Sequence, residues 1–191
     1  MAEVPEEATY VWSHKLRLAY FFAAMRHFRE QLRQQGLTVH YHELTVDPGV
    51  DRGQDFGQIL RQDVARLQPQ KLIWVRPGDY RVLTAIEQAA AGLGLPLERR
   101  PDSHFLCPVA EFRDFAAGRS RRILLDGQDK PLGGLWNFDK SNRQFFGRQG
   151  PPPIPAPLTF PPDALSLEVI EMVQGRFPSH PGSLEHFNLP V

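Results

Sequence analysis

A chain of 191 residues with 41% hydrophobic and 23% charged side chains has the make-up of one ordinary globular domain, not of a disordered segment. Lys+Arg and Asp+Glu both number 22, so the formal net charge is zero, which argues against a freestanding nucleic-acid binder that draws its affinity from phosphate neutralisation. A single cysteine, Cys107, excludes an internal disulfide and a cysteine-held zinc or iron–sulfur site, and the absence of a leader or of an apolar run of about 18 residues points to a cytoplasmic protein.

Leu18, Phe21, Phe22, Met25, Phe28 and Leu32 recur at spacings of three or four, which predicts a helix over residues 14–35 with one broad apolar stripe. Ser13 is its expected N-cap and Gly36 its left-handed stop. The alternation of Leu37, Val39 and Tyr41 predicts a half-buried strand over 37–41. A turn-rich loop from Asp47 leads to a helix over 55–67, ended by Pro69. Leu72-Ile73-Trp74-Val75 is a short unbroken apolar run, as in a parallel strand covered on both faces. Arg76-Pro77-Gly78 turns the chain, Asp79 caps a helix to residue 91, and 95–99 is a further short strand. A helix is expected over 108–117, with Cys107 buried beside it as a small apolar residue. Residues 151–162 read PPPIPAPLTFPP; seven of these twelve are proline, so an extended connector is expected, running over the surface, before a last helix over 163–174. Strand–helix alternation at this spacing implies βαβ units and a three-layer, doubly wound parallel sheet of the Rossmann-like type, with domain limits of 1–150 and 151–191.

The residues offer few chemical constellations. Glu6, Glu7 and Tyr10 precede the first long helix, where a βα loop of such a sheet would hold a ligand; a carboxylate there accepts from a heterocycle's N–H groups and a tyrosine ring stacks on it. The same carboxylates are equally explained as first-turn residues favoured by a helix dipole. His40 and His42 lie two apart on the expected strand, but no third metal ligand accompanies them, so a solvated strand face is the reading. His14 and His27 read as surface or packing residues, and Arg76 to Tyr80 as a capped turn. Residues 113–148 hold eight Lys/Arg against four Asp, a basic stretch that suits DNA, a docked domain or a solvated loop. No Gly-rich phosphate loop, nucleophile–base arrangement or paired carboxylates stand out. No catalytic residue and no metal site is assigned.

Three segments carry a resemblance: Gly133-Gly134-Leu135-Trp136-Asn137-Phe138-Asp139-Lys140-Ser141-Asn142-Arg143, then Met25-Arg26-His27-Phe28, and Arg76-Pro77-Gly78-Asp79-Tyr80-Arg81. Together they resemble the N-terminal region of the photolyase-related proteins, the bacterial iron–sulfur cryptochromes and (6-4) photolyases. In the first segment Trp136 and Phe138 are expected to pin the loop by burial. The resemblance implies a photolyase N-terminal domain that lacks its first strand, the residues matching Ala2-Glu3-Val4 being preceded in the family by a Gly-Asp-Gln-Leu turn. It implies an internal deletion after Arg119, and a chain that stops before the helical domain that holds the flavin, the cluster cysteines and the lesion-binding surface. In the family this N-terminal domain can hold an antenna chromophore, in some members a ribityl-lumazine; the position matching Glu7 lies in its pocket, and Tyr10 also matches the family there. FAD, a [4Fe-4S] cluster and DNA are then expected of full-length members only, with no catalysis by this chain alone. Where the family has a glutamate and a tryptophan, this chain has Arg76 and Tyr80. Two other functions stay open on the residues: a stand-alone α/β module for a nucleotide-like or heterocyclic ligand, and a non-catalytic partner module.

Overall fold

Side-chain caps and apolar periodicity place the longer helices where the sequence leads one to expect them, and a short helix over Pro5–Thr9 is added to them. The structure, a computed structural model, describes residues 1–104, 106–118, 128, 130, 131, 134, 137, 139, 143 and 145–191. In chain order the elements are α1 (Pro5–Thr9), α2 (Lys15–Gln34), α3 (Phe56–Leu67), β1 (Leu72–Val75), α4 (Tyr80–Ala91), β2 (Leu97–Arg100), α5 (Val109–Ala116) and α6 (Ala164–Arg176). Asp55, Asp79 and Asp163 cap α3, α4 and α6 by accepting from backbone N–H groups of the first turn. The cap of α2 is His14, not Ser13: its Nδ1 accepts from the Leu16 N–H at 3.1 Å. Gly36 adopts φ +80° just past α2, the left-handed conformation that ends a helix at low cost.

The chain divides into two compact units, Met1–Arg100 with Leu158–Val191, and Pro101–Pro157. The core of the first is a helix pair. Leu18, Ala19, Phe22 and Ala23 on α2 face Val169, Met172 and Val173 on α6, and Phe177, Leu184 and Phe187 close the cluster from beyond α6. Full burial of each large side chain contributes roughly 1.5–3 kcal/mol. The stripe of α2 is narrower than its apolar residues suggest. Phe21 and Phe28 stay about half exposed, at 54% and 49%, while Arg26 and Arg29 are buried. Gly175 permits close approach at the other side of α6, since a Cβ there would come within 2.8 Å of Val46.

The expected three-layer doubly wound sheet is not formed. Among the described residues the sheet is open and holds two strands, β1 and β2, paired parallel from Leu72↔Leu97 to Val75↔Arg100. Both were expected, as was their direction. Residues 37–41 are not a strand: this stretch meets other backbone near one isolated parallel bridge, Ala2↔His42, where Glu3 N–H donates to His42 O and His42 N–H to Met1 O. Alternation of apolar residues names a face but supplies no ladder partner, and a strand without a continuous neighbour leaves its backbone groups to water. The buried phase is also shifted, with Leu37 exposed and His42 and Leu44 buried. The bulk of the regular structure is helical, α3 and α4 packing on one another. Residues 151–162 carry neither helix nor strand, as their prolines require.

In the second unit, α5 buries none of its residues, and the Phe112 and Phe115 rings lie 6.4 Å apart. Cys107 is exposed, contrary to expectation. It sits in a bend beside the fully exposed Leu106, ahead of the Pro108 that opens α5, and an apolar side chain in such a turn has nothing to pack on. The anchoring role expected of Trp136 and Phe138 lies outside the described residues, as do Arg119, Arg121, Arg122 and Lys140 of the basic stretch.

Candidate functional site

Two features of the first unit bring functional side chains together. One is built on the sequence Pro5-Glu6-Glu7, which opens the five-residue helix α1, Pro5 supplying a φ suited to a first helical position. Glu6 and Glu7 are its first-turn carboxylates, and Glu6 stays exposed. Glu7 meets Arg81, in the first turn of α4 and so just past the carboxyl end of β1. Nη1 and Nη2 of Arg81 donate to the two carboxylate oxygens at 2.6 and 2.7 Å. The guanidinium of Arg81 lies 4.1 Å from the ring centroid of Tyr10. Its bond to Glu7 pushes the Arg81 pKa further up, so this cation is permanent.

The result is a layered shelf of carboxylate, guanidinium and phenol. Each oxygen of Glu7 keeps a lone pair beyond its bond to Arg81, and Tyr10 is 62% exposed, so its ring is only partly covered. The shelf presents carboxylate acceptors beside a partly open aromatic face. Glu7 and Tyr10 are the residues named from the sequence, and Arg81, which joins them, is not among those expected. The available signal was its place in the turn after β1, at the ligand end of a parallel strand. Of the other residues of that turn, Asp79 caps α4, Arg76 is exposed and Tyr80 is 79% exposed.

The second feature is a buried polar network. Glu3, with its side chain closed to solvent, accepts from Arg26 Nε at 2.8 Å and Nη2 at 2.9 Å, from the Tyr41 hydroxyl at 2.6 Å and from the Leu44 N–H at 2.8 Å. Arg26 also donates to Leu44 O and pairs with Glu43. Burial opposes the charge of Arg26, but the bonds and charges of Glu3 and Glu43 outweigh it and hold its pKa above the ordinary value. Burial, and then the charge of Glu3, push Tyr41 well above the usual phenol range, so it stays a donor. All four acceptor positions of the Glu3 carboxylate are occupied and each nitrogen of the Arg26 guanidinium has a partner, which is the signature of structure and not of a reactive group.

His40 and His42 are not brought to one metal site. His40 is exposed, whereas His42 is buried with its Nε2 on Asp63 at 2.7 Å, so the solvated face expected for both holds only for His40. His27 lies 3.5 Å from the Ser166 hydroxyl. Burial pushes the Asp63 carboxyl up, and the hydrogen bonds from His42 and Arg66 outweigh this, leaving it below its ordinary pKa. A depressed folded pKa contributes stability above the unfolded value, about 3.9 for aspartate, and that stability is lost as pH falls through the folded value. Unfolding followed from pH 6 to pH 2 is therefore expected to show a loss that Asp63→Asn makes smaller. An equal acid slope in the variant would contradict it.

Among the described residues no group of three or more His, Cys, Asp or Glu is placed to hold a metal ion, and no helix is long and apolar enough to cross a membrane. A [4Fe-4S] cluster does not fit this chain, because Cys107 is its single cysteine and a cluster takes several thiolates.

The family described as deoxyribodipyrimidine photo-lyase-related protein matches residues 1–189. A (6-4) photolyase of Agrobacterium fabrum is 36% identical over 207 positions, which take in all of this chain and 39% of that protein. The alignment is longer than the chain, so the relative holds residues in the matched region without a counterpart here. The chain belongs to the deoxyribodipyrimidine photo-lyase-related family and corresponds to part of a larger relative.

Proposed function

We propose that this member of the family is an antenna-chromophore and docking portion of a photolyase-type protein, whose whole acts in light-dependent repair of DNA photoproducts or in blue-light sensing. The observation that carries the reading is the meeting of Glu7 and Tyr10 on Arg81 beyond the carboxyl end of β1. Arg81 fixes the carboxylate and one face of the ring in place, so a ligand would meet a rigid shelf and not two loose side chains. Glu7 would accept from the N–H groups of a ribityl-lumazine-type heterocycle and Tyr10 would stack on its ring. When bound, such a chromophore absorbs violet light and passes the excitation on.

The flavin and the cluster would belong to a helical domain of the full-length protein, and DNA would be met by that whole. No catalysis is assigned to this chain. The zero net charge of the sequence supports this division, because duplex DNA would find little electrostatic attraction here.

The test is a fluorescence titration of a ribityl-lumazine into the purified chain and into Tyr10→Ala and Glu7→Gln. Saturable quenching is expected for the wild type, with affinity weakened roughly three- to tenfold in Tyr10→Ala through loss of stacking. Equal affinity in all three proteins would remove these residues from the site.

A further inference from the structure

A cleft of about 460 Å³ lies between the end of α2, residues 39–45, the loop around residues 50–53 and α3, and it shares no residue with the Glu7–Arg81 shelf. Its charges are unevenly committed. Of the acids that line it, Glu3 is taken by Arg26, Tyr41 and the Leu44 N–H and Glu43 by Arg26 and Arg29, while Asp51 gives Oδ2 to Arg176 and keeps a buried Oδ1 without a partner. The cations are largely free. Arg52 is exposed and makes no hydrogen bond or ion pair among the described residues. Arg33 spends one nitrogen on Glu30 at 3.0 Å, and Arg66 one on Asp63 at 2.9 Å. A guanidinium offers five N–H donors, so most of this donor capacity is unspent.

The remaining lining is mixed: Val39 and Val50 offer apolar surface, and His40, His42 and Thr45 are polar. Leu44 and Ile59, which both line the cleft, are 3% and 5% exposed. The loop that forms one wall is held at several points. Asp51 is latched to Arg176 on α6, the Asp47 carboxylate accepts from the Gly49 N–H at 2.8 Å, and Gly53 sits so close to α3 that a Cβ would come within 2.9 Å of Ile59 Cγ1. Such a cleft is set before any ligand arrives. Its volume falls in the range of small-molecule sites, roughly 300–1,000 Å³.

We propose that this cleft binds a phosphate-bearing small molecule of nucleotide size, its anionic group met by Arg33, Arg52 and Arg66 and its body lying over Val39 and Val50. Several guanidiniums lining one cleft suit a phosphate, whose oxygens accept from more than one fork at once. The site is independent of the chromophore reading and stands or falls by itself.

Calorimetric titration of the whole chain with ADP, inorganic phosphate and adenosine tests it. ADP is expected to bind saturably, phosphate to compete with it, and adenosine to bind at least tenfold more weakly. Arg52→Gln and Arg33→Gln, both exposed side chains, are each expected to weaken ADP about tenfold or more with the melting temperature unchanged. Affinity of the wild type should fall as salt is raised. Absence of saturable ADP binding at millimolar concentration, adenosine binding as well as ADP, salt-independent affinity, or full affinity in both variants would each overturn the proposal.

Discussion

Replacing Arg26 by methionine is expected to lower the unfolding free energy by about 3–5 kcal/mol. The guanidinium and the Glu3 carboxylate that it binds have side chains 3% and 0% exposed. Removal of the cation leaves Glu3 buried with only Tyr41 and the Leu44 N–H to stabilise it. A buried charge without its partner is among the few single defects of this size, and small domains are stable by only about 5–15 kcal/mol. The double variant Glu3→Gln with Arg26→Met removes both charges and should recover part of the loss, because a neutral amide is far less costly to bury than an ion. Urea denaturation followed by circular dichroism measures both. A loss below about 1 kcal/mol in the single variant, the typical worth of an exposed pair, would show that Glu3 and Arg26 are not buried together.

The second large effect is expected at Phe177. Its ring is 4% exposed, stacks on Phe22 of α2 at 6.3 Å and meets His180 edge-on at 5.4 Å. Phe177→Ala opens a cavity in the α2–α6 core and should cost about 3–5 kcal/mol. The substitution asks whether the segment after residue 158 is part of the first unit's core or a detachable tail. A change within about 0.5 kcal/mol would favour the tail.

Three of the helices were legible because two independent signals coincide in each. α3, α4 and α6 combine an apolar period with an aspartate at the cap, and a cap fixes an end that periodicity alone leaves loose. The strand expected at 37–41 was read from alternation alone, and alternation says nothing about which backbone lies alongside. β1 and β2 form because each supplies the other's ladder; 37–41 has beside it only residues 1–3, joined through the single bridge Ala2↔His42. From that one difference the three-layer sheet fails.

The site was legible in part. Glu7 and Tyr10 follow from a resemblance and from their position before α2. Arg81 does not, since a guanidinium one turn into a helix reads as ordinary surface. Arg26 carried a signal that went unused: a charge four residues from Phe22 and eight from Leu18, on the apolar stripe itself, requires a buried partner. That the partner is Glu3, 23 residues earlier, is a long-range contact that no local pattern records.

On the proposed function this chain holds a light-absorbing heterocycle on Glu7, Tyr10 and Arg81. The most direct test is the absorbance spectrum of the chain purified in dim light from cells supplied with a ribityl-lumazine. A violet band that stays with the protein through gel filtration, and is reduced in Tyr10→Ala, is the predicted result. A wild-type protein that carries no such band, and takes none up when the compound is added afterwards, would contradict it.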